Sequence, residues 1–154
     1  MSNLPTLYPI NDCLLLVKGP DAKKFLQGQV TCDIDELVNI QDTGTNILLG
    51  AHCTHKGRIV FSFWALALDE QTIALKIPNE MVDIATAALK KYIVFSKAEL
   101  INASEQYQLM GVYDDNAETT INSALEIETL PTIANHAVTN KNGIALCVAD
   151  KRYE

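Results

Sequence analysis

The sequence predicts an α+β domain: an antiparallel sheet that carries its helices on one face. Three observations predict it. A short continuous apolar run at 13–17 is followed by a helix-start signal at Lys18-Gly19-Pro20-Asp21. Two apolar runs, 47–49 and 59–68, are joined by a short polar segment containing glycine, which reads as a β-hairpin. A second, alanine-rich helical stripe then opens at Pro78-Asn79. Taken in order these give strand–helix–strand–strand–helix–strand, the split βαβ arrangement of ferredoxin-like domains.

Each element has its own warrant. Residues 1–9 carry two prolines and read as a flexible lead-in. The run 13–17 suits a strand covered on both faces. Pro20 fits the first position of a helix, and Asp21 puts a negative charge at its positive end. That helix continues through Phe25 and Leu26 and ends near Gly28, a C-cap candidate. Residues 31–36 are acidic and turn-like, and 41–46 read as a loop. In the hairpin's second arm Ile59, Phe61, Phe63 and Ala65 share one face, and Val60, Ser62, Trp64 and Leu66 the other. Residues 72–77 alternate as a further strand. Met81, Ile84, Ala85, Ala88, Leu89 and Tyr92 follow helical spacing, with Lys90 and Lys91 at the negative end of the dipole. Residues 96–101 and 109–113 read as short strands, 117–125 as a weaker helix, and 136–139 with 144–148 as a closing hairpin. The expected division is a lead-in at 1–9, an α+β domain at 10–115, and the start of a second, truncated α+β subdomain at 116–154.

Composition narrows the function. The chain has 154 residues, 48% of them hydrophobic, and a net charge of −7. Such a chain can bury a core; its acidity argues against a broad phosphate-binding face, and its few aromatic residues offer no evident stacking platform for bases, so no strong direct nucleic-acid signal is present. A local basic patch around Lys56 and Arg58 is compatible with that balance. No secretory signal opens the sequence and no apolar run has the length of a membrane span, so the expected compartment is the cytoplasm. Cys13, Cys32, Cys53 and Cys147 form no C-x-x-C pair. Buried small hydrophobes are the expectation for Cys13, Cys32 and Cys147. Cys53 lies among His52, His55, Lys56 and Arg58, which makes it the candidate reactive thiol. Three chemistries fit that hairpin tip: a metal site, a reactive thiol, or a solvated turn, the common fate of polar turn residues. His52 and Cys53 point to opposite faces of a strand, so no metal site is expected. Phosphate-loop and dinucleotide-loop motifs are absent, no Ser/His/Asp triad follows from spacing, and no catalytic residue is assigned.

Three stretches carry a resemblance. Phe25-Leu26-Gln27-Gly28-Gln29-Val30-Thr31-Cys32-Asp33-Ile34 resembles an F-L-Q-G-Q-[LV]-T-x-D-[VI] signature. Ala51-His52-Cys53-Thr54-His55-Lys56-Gly57-Arg58 resembles an A-x-x-x-x-K-G-[RK] hairpin. Leu89-Lys90-Lys91-Tyr92-Ile93-Val94-Phe95-Ser96-Lys97 resembles an L-K-K-Y-x-x-[FR]-S-K helix end. In this order they resemble the YgfZ family, folate-binding proteins linked to tRNA modification and related to the T-protein, the aminomethyltransferase of glycine cleavage. The resemblance implies the fold of the amino-terminal part of the T-protein. It implies a folate-binding accessory role that supports iron–sulfur enzyme assembly or repair and tRNA modification. It also implies a cofactor, tetrahydrofolate or a derivative, and iron–sulfur tRNA-modifying enzymes as partners.

Family members are longer, and their K-G-C-Y-x-G-Q-E motif has no counterpart here, so the chain reads as an amino-terminal portion. The implied folate contacts are Gln29, Thr31 and Asp33, with Asp33 the acceptor for pterin N–H donors. Cys13 falls where well-known members carry a pocket tryptophan. Lys56 and Arg58 are assigned to the glutamate tail of the folate or to tRNA phosphate. Two other classes stay open: a tetrahydrofolate-dependent aminomethyltransferase, and an inactive fragment that self-associates through exposed apolar surface.

Overall fold

The computed structural model describes residues 7–42, 45–112, 117–126, 137–140 and 143–146. Its centre is a five-stranded sheet. The strands are β2 (Asp12–Lys18), β3 (Leu48–Cys53), β4 (Ile59–Asp69), β5 (Thr72–Pro78) and β6 (Glu99–Asn102), in the order β3-β4-β5-β2-β6. Every neighbouring pair is antiparallel. β2 and β4 therefore run the same way on either side of β5. Without the edge strand β3 this is the split βαβ order that the element sequence predicts.

Two helices, α1 (Ala22–Gln27) and α2 (Val82–Lys90), cover one face. Strand alternation decides what meets them. Cys13, Leu15 and Val17 of β2 and Phe61, Phe63, Ala65 and Ala67 of β4 pack with Ala22, Phe25, Leu26, Val82, Ala85 and Leu89. Leu14, Leu16, Ala74 and Leu66 point the other way and are covered too. That is why 13–17 is apolar without alternation. Full burial of each such leucine contributes about 1.5–3 kcal/mol.

The connection from α1 to β3 crosses the sheet edge. Ile34 and Leu37 join the helix-side core, whereas Ile40 and Ile47 pack with Leu66 on the opposite face. The crossing is pinned beside β4, where the Ile40 N–H donates to the Ala67 carbonyl at 2.8 Å. On that opposite face Lys76 and Asp12 form an ion pair.

Several expectations shift. Residues 7–9 do not hang loose: β1 (Leu7–Pro9) pairs antiparallel with β7 (Met110–Val112), so a domain boundary at residue 10 cuts through a strand pair. Pro20 is not the first helical residue: α1 begins at Ala22 with Asp21 as its N-cap, and Asp21 Oδ2 accepts the Lys97 N–H at 2.8 Å. α2 ends at Lys90, preceded by a short 3₁₀ turn at Asn79–Met81. Ile84 (49% exposed) and Tyr92 (52%) lie outside its buried stripe. The buried stripe is Val82, Ala85 and Leu89, with Met81 and Ala88 packed against the same core, so four of the six expected residues face inward. α3 (Ala117–Leu125) has the expected bounds, and β8 (Ala137–Asn140) pairs with β9 (Gly143–Leu146) as the closing hairpin. Residues 113, 136, 147 and 148 of those predicted strands, Cys147 among them, lie outside the described residues. No helix among the described residues is long and apolar enough to cross a membrane.

Candidate functional site

The site is built where the end of α1 meets the edge of the sheet. After Gln27 the helix unwinds, with the Gln29 N–H on the Leu26 carbonyl at 2.8 Å. The next three residues lie along β3 as an added edge. Val30 pairs with His52 in an antiparallel bridge. The Thr31 N–H donates to the Ala51 carbonyl at 2.9 Å, and the Ala51 N–H returns a bond to Thr31 Oγ1 at 3.0 Å. Both β3 edge groups at Ala51 are thereby satisfied, which an edge strand otherwise leaves open.

His52 locks the arrangement. It is 5% exposed, and its Nδ1 lies 2.7 Å from the Gln29 carbonyl oxygen. A carbonyl only accepts, so Nδ1 carries a proton and donates it to this bond. The imidazole stacks on Phe61 at 5.5 Å between centroids and tilts against Tyr92 at 6.3 Å.

Asp33 stands at the outer end of this ledge, exposed, at the start of a 3₁₀ turn at Ile34–Glu36. Its Oδ1 accepts from the Asp35 N–H at 3.1 Å and from Gln27 Nε2 at 3.1 Å. Gln27 Oε1 in turn accepts the Ile34 N–H at 2.6 Å. Lys23 Nζ closes the loop from α1 by donating to the carbonyls of Asp35 and Leu37 at 3.3 and 3.1 Å. Two donors thus hold Oδ1 of the carboxylate before any ligand arrives, the Asp35 N–H and Gln27 Nε2.

The structure brings Gln29, Thr31 and Asp33 onto one ledge. Thr31 Oγ1 and the Gln29 carbonyl are tied to β3, so these two position the ledge. Cys53 is half-buried at the irregularity where the register shifts between His52 and Cys53. Lys56 and Arg58 are exposed at the hairpin tip beyond it. That turn is closed by Gly57 N–H on the Thr54 carbonyl at 2.9 Å, with Gly57 at φ 75°, a left-handed conformation that suits glycine. Cys13 is corrected: at 1% exposure, it packs in the helix-side core and presents nothing to a ligand. The pairing that puts Leu15 and Val17 inward puts Cys13 there too.

Sequence reasoning missed Gln27, His52 and Gly50 as positioning residues. The first two sit inside the matched motifs, which was the available signal. A Cβ on Gly50 would lie 2.5 Å from Cys32 Sγ, so glycine there lets the ledge approach β3. Among the described residues no three His, Cys, Asp or Glu side chains converge on a metal position.

Two open depressions flank α1 and share Lys24 and Gly28. One, of about 270 Å³, is lined by Gln29, Tyr92 and Phe95 among others. The other, of about 430 Å³, is lined by Gln27 and Asp35 among others. A reduced folate needs acceptors for its pterin N–H groups and an apolar surface for its ring. The Asp33 carboxylate fits the first need and Tyr92, beside Gln29, the second, but Asp33 lines neither depression, and Gln27 Oε1 is already taken by the Ile34 N–H.

Burial pushes the thiols of Cys13 and Cys32 above their usual range, and the neighbouring charges of Asp12 and Asp33 add to it. The folded chain therefore holds these two protons more tightly than the unfolded one. The stability they contribute is complete below the unfolded thiol value of about 8.5 and is lost as pH rises through the higher folded values. Urea midpoints measured from pH 7 to pH 10.5 are expected to fall more steeply above pH 9 in the parent than in a Cys13→Ala, Cys32→Ala variant. Parallel curves would refute the linkage.

No family model matches the chain. A tRNA-modifying protein YgfZ of Vibrio atlanticus (strain LGP32) is 34% identical over 135 residues, covering 88% of this chain and 38% of that protein. The YgfZ protein of Yersinia pestis (strain Pestoides F) is 36% identical over 147 residues, covering 94% of this chain and 42% of that one. The glycine cleavage system aminomethyltransferase T of Bartonella henselae superposes with a TM-score of 0.69 over 81% of this chain and 34% of that chain, at 19% sequence identity. The chain spans about two fifths of the length of these curated relatives. Over the stretch it shares with them, and on the fold of the glycine cleavage aminomethyltransferase, the chain belongs to the YgfZ family.

Proposed function

We propose that this chain binds a reduced folate at the ledge between α1 and β3 and, through it, supports tRNA modification by iron–sulfur enzymes in the cytoplasm. The observation that carries the reading is the exposed Asp33 carboxylate, fixed by Gln27 and the Asp35 N–H. It needs no reorganisation to accept the ring N–H and amino donors of a pterin. Lys56 and Arg58, both exposed, are the cations for the glutamyl carboxylates of the folate. Kinship with proteins named for tRNA modification supports the setting.

Calorimetric titration with a reduced folate tests it. Saturable heat is expected, and Asp33→Asn is expected to weaken binding about tenfold by removing the charge from the hydrogen bond. Asparagine keeps Oδ1 as an acceptor, so the turn and the melting temperature are expected to persist. Absence of saturable heat, or an Asp33→Asn affinity equal to the parent's, sinks the reading.

A further inference from the structure

The turn after α2 carries its apolar side chains outward. Tyr92, Val94 and Phe95 are 52%, 72% and 99% exposed. The turn is not slack. Ile93–Phe95 forms a 3₁₀ turn closed by the Ser96 N–H on the Ile93 carbonyl at 2.9 Å. It is clamped to the start of α1 by two bonds between Asp21 and Lys97. The Lys97 N–H donates to Asp21 Oδ2 at 2.8 Å, and the Asp21 N–H donates to the Lys97 carbonyl at 3.3 Å.

The charge around these rings opposes that of the chain. The protein is net −7, yet residues 84–98 hold Lys90, Lys91 and Lys97 and no acid. Lys24 lines the same depression as Tyr92 and Phe95. These four lysines are exposed, and none of them is in a salt bridge among the described residues. Asp21, the acid in that lining, has Oδ2 bound to the Lys97 backbone.

A flat ring in full solvent with cations around it offers a face for stacking, not a pocket. An apolar peptide side chain needs walls, and the depression beside Phe95 is lined by Asp21, Lys24, Gln29 and Ser96 as well as by rings. Unpaired nucleotides need what is present: a π-face for a base and ammonium groups for phosphates. We infer that the 92–97 turn binds unpaired nucleotides of an RNA, with Phe95 and Tyr92 stacking on bases and Lys24, Lys90, Lys91 and Lys97 taking phosphates.

The choice of RNA as the strand rests on the tRNA part of the proposed function. Tyr92 lies at both sites, but the folate titration is read at Asp33 and the RNA titration at Phe95, Lys90 and Lys91, so the two readings fail separately. The test is fluorescence anisotropy of the full chain with a labelled short oligoadenylate, and with a duplex of the same length, across a salt series. Saturable single-strand binding is expected. Phe95→Ala is expected to weaken it about tenfold while leaving duplex binding unchanged. Lys90→Ala with Lys91→Ala is expected to lower the slope of log affinity against log salt by about 1.4, two single-strand phosphates' worth. Phe95 is fully exposed, so unchanged melting curves are expected for its variant. No binding, or Phe95→Ala affinity within twofold of the parent, overturns the inference. So does loss of self-association in Phe95→Ala, seen by sedimentation, with RNA binding unchanged, because the turn is then a protein interface.

Discussion

Gly19→Ala is expected to cost about 3–5 kcal/mol, a large part of the 5–15 kcal/mol that holds a domain of this kind together. Gly19 sits at φ 139°, where L side chains are strained. An added Cβ would lie 2.3 Å from the Lys97 carbonyl oxygen and 2.9 Å from the Ala98 Cα. Those are backbone atoms, and they cannot rotate away as a side chain can. Nor can Gly19 itself retreat easily. Its N–H donates to the Gln71 carbonyl at 2.8 Å, and its own carbonyl accepts the Ala22 N–H at 3.0 Å, at the start of α1. Relief therefore means pushing 97–98 outward, which breaks the bonds between Asp21 and Lys97. The measurement is urea unfolding followed by circular dichroism. A loss under 1 kcal/mol would show that the close approach of 19 and 97 does not hold in solution. Where the variant stays folded, the 92–97 turn loses its clamp, so RNA affinity is expected to fall with it.

The same four residues show how far the sequence could be read. Lys18-Gly19-Pro20-Asp21 announces a helix start, and α1 does begin at Ala22. Local rules reach that far because N-terminal signals act within a turn. They do not reach Asp21's actual partner, which lies 76 residues on. The sheet was legible for a similar reason. Alternation along β4 and the unbroken apolar run of β2 record which faces are buried, and with the order of elements they leave few topologies. What alternation does not record is a strand edge supplied by non-periodic residues. The ledge at 29–31 meets β3 through backbone bonds, whose groups every residue carries. Helical periodicity found α2 and put Met81, Ala85, Ala88 and Leu89 on its inner side, but it also drew in Ile84, which the helix exposes, and left out Val82, which it buries. Tyr92 followed the spacing and yet fell beyond the helix end at Lys90. The motif resemblance named Gln29, Thr31 and Asp33, which follow one another along the ledge. It also carried over Cys13, whose side chain the strand pairing directs into the core.

Gly50→Ala is expected to cost about 2–4 kcal/mol and to act on the ledge itself. The new Cβ would lie 2.5 Å from Cys32 Sγ and 2.9 Å from Phe63 Cζ. Phe63 is buried in the helix-side core and tilts against Phe61, which carries the His52 ring. It has little room to yield. Cys32 lies between Thr31 and Asp33, so whatever rotation of its Sγ does not relieve falls on that segment, which must then lift from β3. The bonds between Thr31 and Ala51, and then the His52 bond to the Gln29 carbonyl, stand in the path of that movement. A second substitution separates this account from a general loss of packing. Cys32→Ala removes the sulfur that the new methyl meets, so Gly50→Ala is expected to cost at least ~1 kcal/mol less in a Cys32→Ala background than in the parent. Phe63 remains, so the rescue is partial. Two additive losses in urea unfolding would place the strain elsewhere. If the coupling is present, reduced-folate binding is expected to follow it: weakened in Gly50→Ala, and partly recovered in the double variant. Recovery of stability without recovery of folate heat would mean that the ledge is a structural joint and that the ligand sits elsewhere on this chain.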